Sequence, residues 1–251
     1  MRIAFIGDVH ANLLALKAVL KDASERKVDA IYCLGDIVGY GPDPDEVVKA
    51  ISRYPCVAGN YDDAVGHEKS SCGCEYKPGR ESEVGDISLN WTIENTKVET
   101  KHFLRGLPKR LSIEIEGVRI LLVHASPLDE LYEYVTPNTP SKRFEELAKS
   151  FEEDVVVSGH THLPMAKYCF GKMFFNCGSV GRPKDGDNRS CYLLLNVERG
   201  VIDHQFVRVK YDVKSVCERI VKAGLPLELA LVLALGESYD MGKGKVEFFV
   251  R

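Results

Sequence analysis

Met1-Arg2-Ile3-Ala4-Phe5-Ile6-Gly7-Asp8-Val9-His10 decides how the rest of this 251-residue chain is read. An apolar run of strand length ends in a carboxylate and an imidazole two residues apart. Alternate side chains of an extended chain point the same way, so the spacing predicts that Asp8 and His10 aim at one point. A hard oxygen donor beside an imidazole suits a divalent transition metal. Alone, the pair reads first as a polar turn closing a buried strand. Later stretches of the same form decide against that reading.

Outward from this strand, Asn12 to Arg26 carries apolar residues at helical spacing, with Asn12 as N-cap. Val28 to Leu34 is a second buried strand, whose end turns at Gly35 and leaves Asp36 on its rim. Pro44 to Tyr54 starts helically, and a third short strand, Cys56 to Ala58, runs into Gly59-Asn60-Tyr61-Asp62. Strands alternating with helices imply right-handed crossovers and a parallel sheet, in which ligands collect at the carboxyl ends of the strands. Asp8, His10, Asp36 and Asn60 all fall there.

Residues 67–83 are polar and aperiodic and are expected to form a loop covering that edge. Ile87 to Leu104 reads as one or two helices carrying the only tryptophan, Trp91, as a core residue. From Leu111 the period changes to strands: Leu111 to Ile115, Val118 to Val123 ending in His124, and Asp154 to Ser158 ending in Gly159-His160-Thr161-His162. Lys142 to Phe151 is helical, and hairpins turn at Phe170-Gly171 and around Arg199. Val213 to Lys222 and Pro226 to Leu235 close the chain as helices, with a last strand expected at Lys245 to Val250. No linker divides it, so one α/β domain is expected, with a core over about residues 1–210 and a helical closure over 211–251.

A net charge of −4 provides no basic field for long nucleic acid, although a local positive site stays open. No apolar run is long enough to span a bilayer, and Met1 leads straight into a strand, so a cytoplasmic location is expected. The eight cysteines suit that compartment. Cys33, Cys56, Cys169, Cys177 and Cys191 lie in apolar runs as small hydrophobes, whereas Cys72 and Cys74 form a CxC in a Gly-containing loop, where a metal or redox role is an alternative to a plain loop.

Of seven histidines, four (His10, His124, His160 and His162) directly follow buried strands. One such histidine is ordinarily a satisfied polar residue; four, beside Asp8, Asp36 and Asn60, point to metal ligands. Seven donors exceed one tetrahedral ion and suit two ions sharing a carboxylate, with mixed N and O donors favouring Mn, Fe, Zn, Co or Ni. Such a pair acidifies a shared water and neutralises a transferring phosphoryl group.

Asp8-x-His10, Gly35-Asp36-x-x-Gly39, Gly59-Asn60-x-Asp62, the isolated His124 and Gly159-His160-x-His162 together resemble the calcineurin-like metallophosphoesterase superfamily, over residues 1 to about 195. Chain length and the Gly-Tyr-Gly-Pro and Phe-Leu-Arg-Gly-Leu-Pro segments resemble its compact prokaryotic branch, which includes symmetric diadenosine tetraphosphate hydrolases. The resemblance implies a four-layer αββα sandwich of two mixed sheets with two divalent metals, manganese first, between them. It places Asp8, His10 and His162 on the first ion, Asn60, His124 and His160 on the second, and Asp36 on both. A bridging hydroxide would attack phosphorus in a small phosphate ester, with a nucleotide or dinucleoside polyphosphate as the leading substrate class. Asn60, Tyr61, Asp62 and His124 are the expected catalytic set.

Tyr61 stands where many relatives carry a histidine that contacts phosphate or protonates the leaving group. Tyrosine, with a pKa near 10, is a usable donor but a poor proton shuttle. His67 is then a candidate acid, Asp62 an orienter of backbone or of Tyr61, and Ser179 and Arg182 candidate phosphate contacts, against a surface arginine in a tight turn. Two rival functions share these motifs. A non-catalytic interaction scaffold would be expected to have lost ligands, and every position is filled; a nuclease would need a basic stripe, which the composition lacks.

Overall fold

The computed structural model describes residues 1–237; the strand expected at Lys245 to Val250 lies outside the described residues. Two sheets form the centre. The first has four strands, β1 (Arg2–Ile6), β2 (Ala30–Cys33), β8 (Ser190–Glu198) and β9 (Val201–Val209), in the order β2-β1-β8-β9. The second has five, β3 (Arg110–Ile115), β4 (Val118–Val123), β5 (Val155–Ser158), β6 (Met165–Cys169) and β7 (Lys172–Asn176), in the order β3-β4-β5-β7-β6. Parallel pairs β1/β2, β4/β5 and β5/β7 are mixed with antiparallel hairpins, so both sheets are mixed.

The apolar strands run without polar breaks because both of their faces are covered. Ile3 and Phe5 of β1 join Ile120 and Leu122 of β4 and Val155 and Val157 of β5 in one cluster between the sheets. Ala4 and Ile6 turn the other way, onto α1 (Leu13–Glu25), α2 (Pro44–Ile51) and the C-terminal α7 (Val213–Lys222) and α8 (Leu227–Leu235). Leu121, Val123 and Val156 pack on α6 (Ser141–Ala148) through Phe144 and Leu147. Helix, sheet, sheet, helix is the αββα order expected from the motifs.

Two local expectations are corrected. Cys56 to Ala58 is no strand: only one bridge, Cys33 to Cys56, forms. Pro55 donates no N–H and Gly59 turns the chain, leaving three residues to pair. The loop expected over 67–83 ends at Gly79, where α4 (Arg80–Glu94) begins. Its first turn is charged, and its N-cap Gly79 offers no side chain, so neither periodicity nor cap advertised it. Of the one or two helices expected up to Leu104, two form, the second being α5 over Val98–Arg105. Trp91 is half-buried as a packing residue, its indole N–H donating to the Ala223 carbonyl at 2.9 Å. The remaining helix, α3 (Asn60–Gly66), starts on a predicted ligand.

Asn12 caps α1, its amide oxygen accepting from the Ala15 N–H at 3.1 Å. Its amide nitrogen also donates to the Gly181 carbonyl at 3.0 Å, tying the helix to a distant turn. Asn12→Ala is expected to cost about 1 kcal/mol and to lower the melting temperature by roughly 2–4 °C, read by thermal denaturation.

Candidate metal centre

The candidate ligands lie just past strand ends, but strand alternation does not aim them. Asp8 and His10 have φ of 50° and 49°, Asp36 50°, and His160 and His162 66° and 61°. The left-handed region is unfavourable for side chains other than glycine, and each such residue costs on the order of 1–3 kcal/mol. The expectation that Asp8 and His10 share a face of an extended strand is therefore corrected: β1 stops at Ile6, and consecutive left-handed turns bring the two together. These turns are held by Asp8 N–H to Gly35 O at 3.0 Å and His10 N–H to Asp36 O at 2.9 Å. A Cβ on Gly59 would overlap both the backbone nitrogen and the carboxylate of Asp36, so that close approach admits only glycine.

Two donor groups result, Asp8/His10/His162 and Asp36/His124/His160, each with its ligand atoms within 4.8 Å of one another. All six residues are buried. Hydrogen bonding fixes the ring tautomers. His10 Nδ1 faces the Val38 carbonyl at 3.2 Å, His162 Nδ1 that of Arg182 at 2.5 Å, His124 Nδ1 that of Leu34 at 2.7 Å, and His160 Nε2 that of Tyr132 at 3.1 Å. Each ring, when neutral, donates outward to a carbonyl, so its inner nitrogen then presents a lone pair. The inner nitrogens of His10 and His162 face each other at 3.1 Å, a pairing that a shared proton or a bound cation satisfies.

Asn60 is set the same way. Its amide nitrogen donates to the Cys72 carbonyl at 2.9 Å and to Cys74 Sγ at 3.2 Å, leaving Oδ1 at 3.1 Å from both His124 Nε2 and His160 Nδ1. Asp36 reaches toward both groups, with Oδ2 3.7 Å from His10 Nε2 and Oδ1 3.5 Å from His124 Nε2. Asp8 Oδ1 lies 3.5 Å from His162 Nε2. Carboxylate, amide oxygen and imidazole converging without competing donors fit divalent transition metals.

The electrostatics match this chemistry. Burial lowers His10 to a pKa of about 3 and, with His124 adding to it, His160 to about 3. Burial, then the Lys184 charge, lowers His162 as well. All three are thus neutral at pH 7, the state that ligates. Burial opposes ionisation of Asp36, but His124 outweighs it and keeps the carboxyl low. Asp36 in turn overcomes the burial of His124 and raises its pKa to about 10, so a proton competes with metal at this one ring.

Residues around the donors take roles that differ in part from expectation. Asp62 faces backbone: Oδ1 accepts from the N–H groups of Ile37 and Val38 at 2.8 and 3.2 Å, and Oδ2 from Gly59 N–H at 3.0 Å. It positions the Asp36 and Asn60 turns and is no catalytic acid. Tyr61 is fully buried, its hydroxyl 2.9 Å from that of Tyr76, which corrects its expected role as a substrate contact. Ser179 Oγ donates to the Asp8 carbonyl and accepts from Arg182 N–H, both at 2.8 Å, so it docks a turn and does not meet substrate. His67 sits half-exposed against Asp63, 3.3 Å from its carboxylate, away from the cavity. Its expected proton-donor role is corrected as well.

Arg182 does reach the cavity. Its guanidinium lies 4.2 Å over the Tyr40 ring, and its buried Nε has no hydrogen-bond partner. The cavity, of about 110 Å³, is lined by His10, Asp36, Asn60, His160, His162 and Arg182, and by residues the sequence did not single out: Lys184, Tyr76, Tyr134 and Glu75. A signal for Lys184 was present in Arg182-Pro183-Lys184, because residues flanking a proline in extended chain share a face. Cys72 and Cys74 keep free thiols, with sulfurs 2.9 Å apart in a hydrogen bond. Among the described residues neither joins a donor group; they grip the Asn60 amide instead.

Residues 1–200 match the family described as the calcineurin-like phosphoesterase superfamily domain. The chain belongs to this superfamily. Protein MJ0912 of Methanocaldococcus jannaschii is 36% identical over 253 residues, covering 93% of this chain and 98% of that one. Phosphodiesterase YfcE of Escherichia coli is 26% identical, covering 80% and 91%. A metallophosphoesterase from Sphaerobacter thermophilus superposes with a TM-score of 0.78 at 31% identity, over 94% of this chain and 100% of that one. The protein is thus a metal-dependent phosphoesterase built on the fold its motifs implied.

Because Asp62 holds three N–H groups beside Asp36 and Asn60, Asp62→Asn is expected to weaken metal affinity roughly 10–100-fold with an unchanged circular dichroism spectrum. Metal titration of the stripped protein reads this.

Proposed function

We propose that the protein hydrolyses a small phosphorylated molecule at two divalent metal ions. Asp8, His10 and His162 would hold the first ion, His124, His160 and Asn60 the second, and Asp36 both. The observation that carries this reading is the convergence of inner imidazole nitrogens, each fixed as an acceptor by a carbonyl behind it. Manganese is the first choice among Mn, Fe, Zn, Co and Ni. Bound there, such a pair supplies a water acidified at neutral pH and offsets charge on the phosphoryl oxygens.

The chain's own residues do the rest. Left-handed turns and the Asp62 clamp keep the donors pre-set, so little reorganisation accompanies reaction. Arg182, with an unpartnered Nε in the cavity wall, faces the phosphate. Cys74, Glu75 and Tyr76 enclose the site from the loop before α4, and Leu229 of α8 lines it too. This supports the reading of residues 1–210 as the core and of the helices after them as its closure, within one domain. The cavity beside the donors would receive the phosphoryl group, with a nucleotide or dinucleoside polyphosphate as the leading substrate class. No helix among the described residues is long and apolar enough to cross a membrane, which is compatible with the expected cytoplasmic location.

Wild-type protein with Mn²⁺ is expected to turn over bis-p-nitrophenyl phosphate. Asp36→Asn and His124→Ala are each expected to lower kcat/KM at least about a hundredfold with the fold retained. His67→Ala is expected to stay within about twofold of wild type, since its ring does not enter the cavity. No turnover by wild type, and none lost in Asp36→Asn, would favour the scaffold reading.

A further inference from the structure

Two cations share the wall of the metal cavity, and only one belongs to a motif. Arg182 and Lys184 follow β7 in a turn docked directly on the ligand turn of β1. Val180 N–H donates to Gly7 O at 3.0 Å, Gly181 N–H to Asp8 O at 2.9 Å, and Ser179 Oγ to the same Asp8 carbonyl. The Arg182 carbonyl receives His162 Nδ1. The backbone from which both positive side chains branch is therefore docked on the turns that carry Asp8 and His162. Neither has an ion pair within 4 Å among the described residues, and no hydrogen bond holds the Lys184 ammonium. Burial together with the Arg182 charge brings the Lys184 pKa down to about 8. Lys184 lines the same cavity as His10 and His162 of one donor group and Asp36 and His160 of the other.

An ammonium held opposite divalent ions is repelled unless an anion lies between them. A phosphodiester offers two terminal oxygens, both of which a metal pair would take up. A phosphomonoester dianion has a third terminal oxygen, and it needs a donor inside a water-poor pocket. We propose that Lys184, steadied beside Arg182, grips this third oxygen and makes the site prefer phosphomonoester dianions to diesters. The inference rests on the phosphoesterase reading of the same centre and narrows its substrate class. Lys184 would be a specificity-determining contact. Its charge-assisted bond would be largely lost to a diester, whose third oxygen carries an alkyl or aryl group. Glu75 and Glu81 also line the cavity, so positive charge at this wall is confined to residues 182 and 184.

The test uses Mn²⁺-loaded protein, with Lys184→Met keeping the side-chain length and Lys184→Arg keeping the charge. Three quantities are read: bound metal, the Kd for inorganic phosphate by calorimetry, and the ratio of kcat/KM for p-nitrophenyl phosphate to that for bis-p-nitrophenyl phosphate. Lys184→Met is expected to weaken phosphate binding about tenfold and to lower the monoester-to-diester ratio by a similar factor, with metal content unchanged. Lys184→Arg is expected to restore most of both. An unchanged ratio with unchanged phosphate affinity would overturn the proposal. A loss of bound metal in Lys184→Met would also overturn it, because Lys184 would then be a counter-charge for Asp8 and Asp36. If wild type hydrolyses neither ester, the phosphoesterase reading of the centre fails separately, and the phosphate arm still decides whether Lys184 binds the anion.

Discussion

Every other feature of the centre depends on one constraint: each imidazole gives its outer N–H to a main-chain carbonyl. His10 uses Val38, His124 Leu34, His160 Tyr132 and His162 Arg182. A free imidazole would turn and exchange tautomers, whereas a ring tied from behind offers one lone pair in one direction. Because the acceptors are backbone atoms of neighbouring turns, the aim of the side chains is written into the path of the main chain. The same logic fixes Asn60, whose amide is held by the Cys72 carbonyl and the Cys74 sulfur so that its oxygen faces inward.

That path is strained, and the sandwich sustains the strain. Five of the metal donors have positive φ. Conformations costing on the order of 1–3 kcal/mol each persist only where their surroundings over-determine them. Here the surroundings are the sheets. The apolar layer shared by Ile3, Phe5, Ile120, Leu122, Val155 and Val157 sets the distance between the two strand-end edges. The Asp62 carboxylate then clamps Ile37, Val38 and Gly59 across the first edge. A close-packed layer does not yield to accommodate a relaxed turn, so the turns stay poised and the donors stay converged.

The outer walls of the cavity follow another rule. Tyr40, Tyr76, Cys74, Arg182, Lys184 and Leu229 come from loops and from the C-terminal helix pair, and they meet only because these segments fold back over the strand ends. The rigid half of the site lies at the sheet edges. The other half is assembled from connections, two of which also hold donors: the Cys74 sulfur grips the Asn60 amide and the Arg182 carbonyl receives His162.

The sequence by itself determined the strand-and-helix pattern and singled out the candidate metal donors. Runs buried on both faces leave an unbroken apolar signal, and Asp8, His10, Asp36, Asn60, His124, His160 and His162 each follow such a run; the stacking of two sheets and the grouping of donors came from the resemblance of the five motifs to a known family. Only the tertiary structure decided the direction of each polar group. Tyr61 and Asp62 lie beside a donor in sequence and Ser179 in a turn that resembles a family segment, yet their polar atoms turn to Tyr76, to main-chain amides and to Asp8. His67 leaves the site because the first turn after α3 carries it toward Asp63. Lys184 enters although no motif names it, through a turn docked on a strand more than 170 residues away in sequence. Which way a side chain points depends on hydrogen bonds to partners distant in the chain, and those partners exist only once the sheets have stacked.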